Sequence, residues 1–173
     1  MKDMMKLGGF LFIAAAIAAG ALSLTYIITA PKIEAQKQLE ISSALTADCL
    51  PGACDIKERK LGTHTYYIGH DKKGGISGYA FRVAPKGYGG PIDMIVGISM
   101  NGQVSGITII SMAETPGLGS QANKPAFLNQ FLGKNSKAKL KAKQDIDSIS
   151  GATVTSQAVC DGVKEALQLF TNI

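Results

Sequence analysis

An unbroken run of apolar residues opens the chain. It covers residues 7–28, reads LGGFLFIAAAIAAGALSLTYII and contains no charged residue. Twenty-two residues at about 1.5 Å each span the roughly 30 Å hydrocarbon core of a bilayer. The alternative is a cleaved signal peptide, whose apolar core is usually about 7–15 residues long. The length of the run favours a transmembrane anchor, to which we assign residues 1–29.

After the anchor, apolar residues recur among charges at helical spacing in APKIEAQKQLEISSAL. The apolar residues concerned are Ile33, Leu39, Ile41 and Leu45. This pattern predicts a juxtamembrane helix, with a break at Pro31 because proline cannot continue the backbone hydrogen bonds. The Pro-Gly pair in DCLPGACD then predicts a turn. We therefore expect a helix and linker over residues 30–56 and one soluble domain over residues 57–173.

Two stretches of the soluble domain have the composition of β-strands. They read THTYYIG (residues 63–69) and GISGYAFRVA (residues 75–84), and both are rich in aromatic and branched residues. Asn101-Gly102 then separates two alternating runs, IDMIVGISM and QVSGITIIS. Because Asn-Gly favours a tight turn between antiparallel strands, these runs predict a β-hairpin.

Helical spacing returns twice in the second half of the chain. The segment NKPAFLNQFLG has Pro125 near its first turn, and its predicted apolar face is Phe127, Leu128, Phe131 and Leu132. A last helix is predicted to begin near Thr155 and to pack on the sheet. Its apolar stripe is Val159, Val163, Ala166, Leu167 and Phe170. Together the elements predict an α+β domain with a mainly antiparallel sheet backed by helices.

The segment between these two helices alternates lysine with small or apolar residues. It reads GKNSKAKLKAKQD, and its alternating lysines are Lys137, Lys139, Lys141 and Lys143. The alternation favours an exposed strand with a solvated lysine face. The functional alternative is a patch that faces phosphate, lipid headgroups or an acidic partner.

The charge of the chain bears on its partners and its orientation. Lysine and arginine number 18 against 13 acidic residues, for a formal net charge of +5. No aromatic-rich basic motif accompanies this charge, so nucleic acid is not an expected partner. Lys2 and Lys6 favour a cytoplasmic N-terminus, although Lys32 and Lys37 beyond the anchor weaken that bias. We expect a single-pass protein of the plasma (inner) membrane with its soluble domain outside the cytoplasm.

Cys49 and Cys54 flank the Pro-Gly turn in DCLPGACD. Outside the cytoplasm such a pair is able to close a small disulfide loop, and we predict one here. The chain contains neither CxxC nor CxxCH, so zinc and c-type haem are not expected. His64 and His70 fall in a predicted strand and loop, where exposed or capping histidines are commoner than metal ligands. No metal site is predicted.

Small hydroxyl residues gather at the predicted start of the last helix, where residues 147–156 read DSISGATVTS. A helix start offers free backbone N–H groups and the positive end of the helix dipole. Gly151 and Ala152 let a bulky anion come close to the backbone, so the segment has the chemistry of a phosphate seat. A turn followed by a Ser/Thr cap explains these residues equally well. No phosphate-binding lysine or nearby base accompanies the hydroxyls, so triphosphate hydrolysis and Ser/Thr hydrolase chemistry are not expected.

A second glycine-rich loop follows the predicted hairpin directly and reads ETPGLG, residues 114–119. Pro116 fixes one turn, whereas Gly117 and Gly119 free the backbone around Leu118. Such a loop is able to cover a flat ring with backbone amides and one apolar side chain. An ordinary tight connection is the alternative.

These motifs, together with the anchor and GYGGPIDMIVGI (residues 87–98), resemble a known family. It is the FMN-binding domain shared by the G subunit of the Rnf ion-translocating electron-transport complex and the C subunit of the sodium-pumping NADH:quinone reductase. The family pattern is Asp, two residues, Ser or Thr, Gly, Ala, then the Thr or Ser that carries FMN. It falls here on Asp147, Ser150, Gly151, Ala152 and Thr153. The resemblance implies that a phosphoester bond joins Thr153 to FMN, and that a separate flavin transferase installs it from FAD.

The resemblance also implies the rest of the site. Besides Thr153, the implied FMN-binding residues are Ser150, Gly151, Ala152, Val154, Thr155, Glu114, Thr115, Gly117, Leu118 and Gly119. No residue is expected to be catalytic. The implied function is that of a membrane-anchored electron carrier without activity alone. It would work with other membrane and peripheral subunits of an Rnf-type complex that couples ferredoxin:NAD electron transfer to sodium or proton translocation.

Three other interpretations stay open at this point. They are the C subunit of the sodium-pumping quinone reductase, a stand-alone extracytoplasmic FMN carrier, and a non-redox membrane-tethered assembly protein. The short chain is closer to the Rnf protein, because its quinone-reductase counterpart usually carries more sequence before the domain. No nicotinamide-binding GxGxxG follows a predicted strand. Electrons are therefore expected to arrive and leave through membrane partners.

Overall fold

The computed structural model describes residues 2–62 and 64–173, and it describes their side chains except at residues 2–4 and 37. Thr63, the first residue of the predicted strand THTYYIG, lies outside the described residues. The fold divides into two compact units, of which the first ends at Leu39 and the second is Glu40–Ile173. The predicted functional motifs all lie in the second unit.

A single helix, α1, covers Lys2–Ala44. Large apolar side chains of the predicted anchor are exposed, and the helix is long and apolar enough to cross a membrane. The predicted break at Pro31 is wrong, because α1 continues through this residue. Pro31 lacks the backbone N–H that would donate to the Ile27 carbonyl, and the helix continues without that one bond.

Five strands form one sheet in chain order. They are β1 (Asp55–Leu61), β2 (His64–His70), β3 (Ile76–Val83), β4 (Asp93–Ser99) and β5 (Val104–Ser111). Each strand pairs antiparallel with the next. The Asn101-Gly102 turn joins β4 to β5, and Gly102 has the positive φ of 73° that such a turn uses. The predicted hairpin and the mainly antiparallel sheet are confirmed.

The sheet carries a hydrophobic cluster on each face. Helix α3 (Thr153–Thr171) packs into the larger cluster, and its fully buried stripe is Val159, Val163, Ala166 and Leu167. The smaller cluster joins the end of α1 and the helical turn Leu45–Cys49 to Tyr67, Ala80 and Ile95. Adjacent strand residues fall in different clusters, such as Ala80 and Phe81, because successive side chains point to opposite faces. The predicted packing of the last helix is confirmed.

The helix predicted around Pro125 is shorter than expected. Helix α2 covers Pro125–Leu128, and a 3₁₀ turn, Asn129–Phe131, follows it. Phe127, Leu128 and Phe131 are buried as predicted, but Leu132 is 46% exposed. The chain leaves the helical turn at Leu132, where ψ is 134°, so this side chain no longer shares the apolar face.

The predicted lysine strand is not formed. Residues 133–147 make an irregular loop with two isolated bridges, Gln103 to Asn135 and Ala142 to Ile146. Leu140 and Lys143 have φ values of 47° and 66°, and such left-handed residues interrupt an extended strand. The alternation nevertheless predicted correctly which side chains are buried: Leu140 and Ala142 are buried, while the alternating lysines are exposed.

The predicted disulfide between Cys49 and Cys54 is absent, since both are free thiols in the structure. Cys49 is buried, and its thiol donates to the carbonyl oxygen of Ile95 with a sulfur–oxygen distance of 3.6 Å. Cys54 lies beyond the Pro-Gly turn and is exposed. The turn directs one thiol onto the sheet and the other into solvent, which keeps the two sulfur atoms apart.

Candidate functional site

The start of α3 is open to solvent. The helix begins at Thr153 rather than near Thr155, with Ala152 at the N-cap position and no side-chain capping bond. The Ser/Thr cap that was the alternative to a phosphate seat is therefore not formed, and the N–H groups of the first turn lack a side-chain acceptor. These groups also carry the positive end of the helix dipole. Because Thr153 and Val154 are exposed, the helix start is accessible to an anion.

Two hydroxyls that were expected to cap the helix or contact phosphate point into the protein instead. Ser156 is fully buried; its hydroxyl donates to the Ala152 carbonyl at 2.9 Å and accepts from the Ile149 N–H at 3.0 Å. Thr155 is also buried and donates to a carboxylate oxygen of Glu114 at 2.7 Å. These hydroxyls therefore fix the turn before α3, whereas Thr153 remains exposed.

Glu114 turns its carboxylate inward, although the resemblance implied a cofactor-binding role. The residue is 8% exposed. Its Oε1 accepts from the backbone N–H groups of Tyr88 and Gly89 at 2.9 and 3.1 Å, and its Oε2 accepts from Thr155. One carboxylate thus ties together the turn before β4, the loop after β5 and the first turn of α3. Sequence reasoning did not assign Tyr88 and Gly89 to the site, although the resemblance included their turn.

The loop after Glu114 presents one apolar side chain to solvent. Gly117 has a φ of 79°; its N–H donates to Ser120 Oγ at 2.9 Å, and its carbonyl accepts from Gln121 Nε2 at 2.6 Å. Leu118 next to it is 44% exposed. These bonds hold the backbone around a large apolar side chain that stays partly exposed, so Leu118 is accessible to the apolar face of a ligand.

The two glycine-rich motifs lie against each other. A Cβ built on Gly151, whose φ is 75°, would lie 3.2 Å from Cδ2 of Leu118. A Cβ built on Gly119 would lie 2.9 Å from Oγ1 of Thr155. The absence of side chains at these positions permits the close approach. The structure therefore brings the exposed Leu118 beside the segment that leads directly into Thr153, as expected if both motifs form one site.

A groove of about 270 Å³ adjoins this segment. Lys124, Phe127 and Gln130 line one side of it, and Ser148 and Ser150 line the other. An ammonium group, an aromatic ring and polar side chains suit a flat ligand with polar edges. A larger cavity of about 460 Å³, between the turn Leu45–Cys49 and β5, contains no residue of either motif. The smaller groove is lined by residues 147–150 of the DSISGATVTS motif.

Gln130 fixes the attachment segment at Asp147. Its Oε1 accepts from the Asp147 N–H at 2.7 Å, and its Nε2 donates to the Asp147 carbonyl at 3.3 Å. The side-chain amide therefore bonds to both backbone polar groups of Asp147, as the backbone of an adjacent strand would. Sequence reasoning missed Gln130 and Lys124, because no local pattern shows that the turn after α2 packs against residues 147–150.

The exposed groups fit an FMN molecule. Free N–H groups at a helix start suit its phosphate, and Leu118 together with the groove suits a flat ring with an apolar face and polar edges. The left-handed Gly151 leaves room beside Leu118, where a side chain would fill the space. The donor set and the available space are consistent with the cofactor implied by the motifs.

Two family models match the chain. One is described as the FMN-binding domain and matches residues 87–168, which include the turn, the loop and the helix start described above. The other is described as the RnfG N-terminal region and matches residues 1–47. The chain therefore contains an FMN-binding domain, and FMN is its cofactor.

Curated relatives cover nearly all of the chain. The G subunit of the Na(+)-translocating ferredoxin:NAD(+) oxidoreductase complex of Acetobacterium woodii is 34% identical over 99% of this chain and 94% of its own length. The proton-translocating counterpart of Clostridium ljungdahlii is 36% identical over 87% of this chain and 82% of its own. The G subunit of the ion-translocating oxidoreductase complex of Vibrio cholerae is 33% identical over 94% of this chain and 88% of its own.

Solved structures share the fold. NqrC from Shewanella oneidensis has a TM-score of 0.53 and 20% identity over 75% of each chain. The C subunit of the Na(+)-translocating NADH-quinone reductase from Parabacteroides distasonis has a TM-score of 0.51 and 24% identity, over 62% of this chain and 61% of its own. The family models and the curated relatives confirm the resemblance inferred from the motifs. The chain belongs to the RnfG family, the G subunits of ion-translocating oxidoreductase complexes.

Proposed function

We propose that this protein is the covalent FMN carrier of a membrane-bound complex that transfers electrons between ferredoxin and NAD and couples this transfer to sodium or proton translocation. The observation that carries the proposal is the exposed Thr153 at the uncapped start of α3, beside the exposed Leu118. Relatives named as ferredoxin:NAD(+) oxidoreductase subunits match this chain over most of its length, which supports the reaction assigned to the complex.

Thr153 is the proposed attachment residue. Its Oγ forms a bond to the phosphorus of the FMN half of FAD, the phosphoanhydride bond breaks, AMP leaves, and the hydroxyl proton passes to a base of the flavin transferase. The exposure of Ser150, Gly151 and Thr153 supports access by such an enzyme. Thr155 and Ser156 are poor acceptors by comparison, because both are buried and hydrogen bonded.

This chain's residues hold and orient the cofactor. The N–H groups of Thr153, Val154 and Thr155 bind the phosphate at the positive end of α3. Leu118 and the backbone from Thr115 to Gly117 contact the ring. When bound, FMN supplies the redox chemistry, and the protein supplies position and electrostatics. In this arrangement Glu114 does not contact the cofactor but holds the loop and α3 together.

The proposed topology places the FMN domain outside the cytoplasm. A single anchor preceded by Lys2 and Lys6 favours a cytoplasmic N-terminus. Covalent attachment also suits a compartment in which lost FMN would not be replaced from the cytoplasmic pool. Protease added to right-side-out vesicles should digest the domain and leave the anchor. Protection in those vesicles, with digestion only in inverted ones, would contradict this topology.

Electron transfer by the assembled complex tests the proposed function. Thr153→Val in the full-length protein should abolish NAD reduction by reduced ferredoxin in membranes, with the amount of this protein in the complex unchanged. The matched control is Thr171→Val, which makes the same change at the exposed other end of α3 and should retain activity. Full activity in a complex that contains Thr153→Val and no covalent flavin would refute the proposal.

A further inference from the structure

Four lysine side chains project from the loop that leads into the attachment segment. We call residues 137–143 the lysine loop; its exposed lysines are Lys137, Lys139, Lys141 and Lys143. Among side chains that the structure describes, none of these four ammonium groups forms an ion pair. The nearest carboxylate in sequence, Asp145, accepts from backbone N–H groups instead. The loop therefore presents four exposed ammonium groups, with the Asp145 carboxylate bound to its backbone.

The backbone of the lysine loop is fixed by several hydrogen bonds. Asp145 accepts from the N–H groups of Leu140 and Lys141 at 2.9 and 2.7 Å. Gln157 on α3 accepts from the Ala142 N–H at 3.1 Å. Leu140 is 2% exposed and Ala142 is 8% exposed. These buried anchors hold the lysines outward at fixed spacing.

The loop also holds two residues in an uncommon conformation. Leu140 and Lys143 adopt left-handed φ values of 47° and 66°, which cost non-glycine residues about 1–2 kcal/mol each. The surrounding bonds and the burial of Leu140 over-determine this conformation. Retained strain of this kind is concentrated at functional segments. A solvated lysine face would not require it, since any exposed strand presents alternate side chains to water.

The burial of the apolar residues of the loop favours a protein partner over a lipid surface. Amphipathic segments that lie in a membrane interface bury apolar side chains there, whereas Leu140 and Ala142 are turned into the core of this protein. A lipid surface would therefore gain only the charge contacts that basic clusters make with anionic headgroups. Four ammonium groups carried on a backbone that hydrogen bonds hold in place instead match carboxylates on a folded protein surface. Electrostatic steering of this kind speeds association of transient partners.

We propose that the lysine loop docks an acidic protein surface of a neighbouring subunit during electron transfer. This inference rests on the proposed electron-carrier function, because it assigns the face through which the carrier meets an electron partner. The contact is small and charge-driven, as transient redox interfaces commonly are. It should therefore weaken when added salt shortens the Debye length.

Site-specific cross-linking in native membranes tests the proposal on the assembled full-length protein. A photoreactive benzoylphenylalanine at Lys139 should cross-link, on illumination, to an Asp/Glu-rich segment of another polypeptide. The double variant Lys137→Glu/Lys141→Glu should lower the yield by about tenfold, and about 0.5 M NaCl should have a similar effect. The matched control is Lys72→Glu/Lys73→Glu, which reverses two exposed lysines between β2 and β3 and should change the yield less than about twofold.

Three outcomes would each overturn the docking proposal. They are cross-links from position 139 to lipid alone, the absence of any cross-link, and a cross-linking yield that does not change when the lysine charges are reversed. Flavin content measured by mass spectrometry in the same membranes separates the two proposals. Cross-linking without covalent flavin would refute the proposed carrier function and leave the docking surface standing. Covalent flavin without the cross-link would refute the docking surface and leave the carrier function standing.

Discussion

Thr155 donates its hydroxyl hydrogen to Glu114 at 2.7 Å, so the first turn of α3 is fastened to the loop that presents Leu118. The other oxygen of the same carboxylate binds the turn at Tyr88 and Gly89. Three segments distant in sequence therefore share one buried acceptor. The relative position of the attachment residue and the apolar loop depends on this acceptor.

Removal of the carboxylate should destabilise the FMN domain. Glu114→Ala leaves three donors without their partner, and we expect it to lower the free energy of unfolding by about 2–4 kcal/mol, measured by denaturant titration of the full chain in detergent. The control is Glu165→Ala, which removes a partly exposed carboxylate 3.6 Å from His64 and should cost less than about 1 kcal/mol. Equal stability of the two variants would show that Glu114 does not hold the site together.

Alanine at the two glycines of the ETPGLG loop should have different effects. A Cβ on Gly119 would lie 2.7 Å from Oε2 of Glu114, so Gly119→Ala should displace that carboxylate and destabilise the domain about as much as Glu114→Ala. A Cβ on Gly117 meets no atom within 4 Å, although its φ of 79° costs alanine about 1–2 kcal/mol. Gly117→Ala should therefore destabilise the domain less than Gly119→Ala does. It should nevertheless change the flavin absorption spectrum.

Comparison of the two variants in denaturant and by absorption spectroscopy checks this difference. An unchanged spectrum in folded, flavin-loaded Gly117→Ala would count against contact between the loop and the ring. An unperturbed stability in Gly119→Ala would count against the tight packing around Glu114.

Thiol labelling should distinguish the three cysteines. Cys54 is exposed, whereas Cys49 and Cys160 are buried, and burial raises the pKa of Cys160 to about 12. In native protein kept under oxidising conditions at pH 8, we expect iodoacetamide to modify Cys54 alone, because a thiol must be accessible and ionised to react. All three should react after denaturation without reductant. Protection of Cys54 until a reductant is added would instead establish the disulfide predicted from the sequence.

The lysine loop should respond to acid through Asp145. Burial acts to raise the pKa of this carboxyl, but hydrogen bonds from the Lys141 and Leu140 N–H groups outweigh it and hold the pKa below the ordinary 3.8. The ionised carboxylate therefore stabilises the loop fully above that pH, and this contribution is lost as the pH falls through the lower folded-state pKa.

Backbone amide shifts of Leu140 and Lys141 in labelled full-length protein in nanodiscs should report this transition below pH 3.8. The matched control is Asp145→Asn, which has no titrating group at this position and should show no such transition. If the chemical shifts of both amides changed with a midpoint at or above pH 3.8 in the unmodified protein, the hydrogen-bonded role of Asp145 would be contradicted.

Local chemistry explains what could be predicted from the sequence. The Asn101-Gly102 turn is encoded by two adjacent residues, and the apolar stripe of α3 has a fixed period, so both were correct. The lysine segment shows the limit of periodicity: alternation predicted the burial of Leu140, but the strand failed because the Asp145 carboxylate and left-handed residues support a loop instead. The motifs identified the segments that form the site.

The internal arrangement of the site could not be predicted from the same patterns. The bond between Glu114 and Thr155 joins residues 41 positions apart, and the pair of bonds between Gln130 and Asp147 also depends on packing of separate segments. A hydroxyl near a helix start has the same local signal whether it faces a phosphate or a buried carboxylate. Burial separates these cases, and burial is a property of the fold.

The mass of the denatured protein is the most direct test of the central claim that Thr153 carries FMN. Full-length protein made together with its flavin transferase should carry the mass of one FMN less one water, remain fluorescent after denaturation, and give fragment ions that place the addition on Thr153. Thr153→Val should lose both the added mass and the fluorescence, while Thr171→Val keeps them. Covalent FMN retained in Thr153→Val, or an unmodified wild-type protein in the presence of an active transferase, would contradict the account.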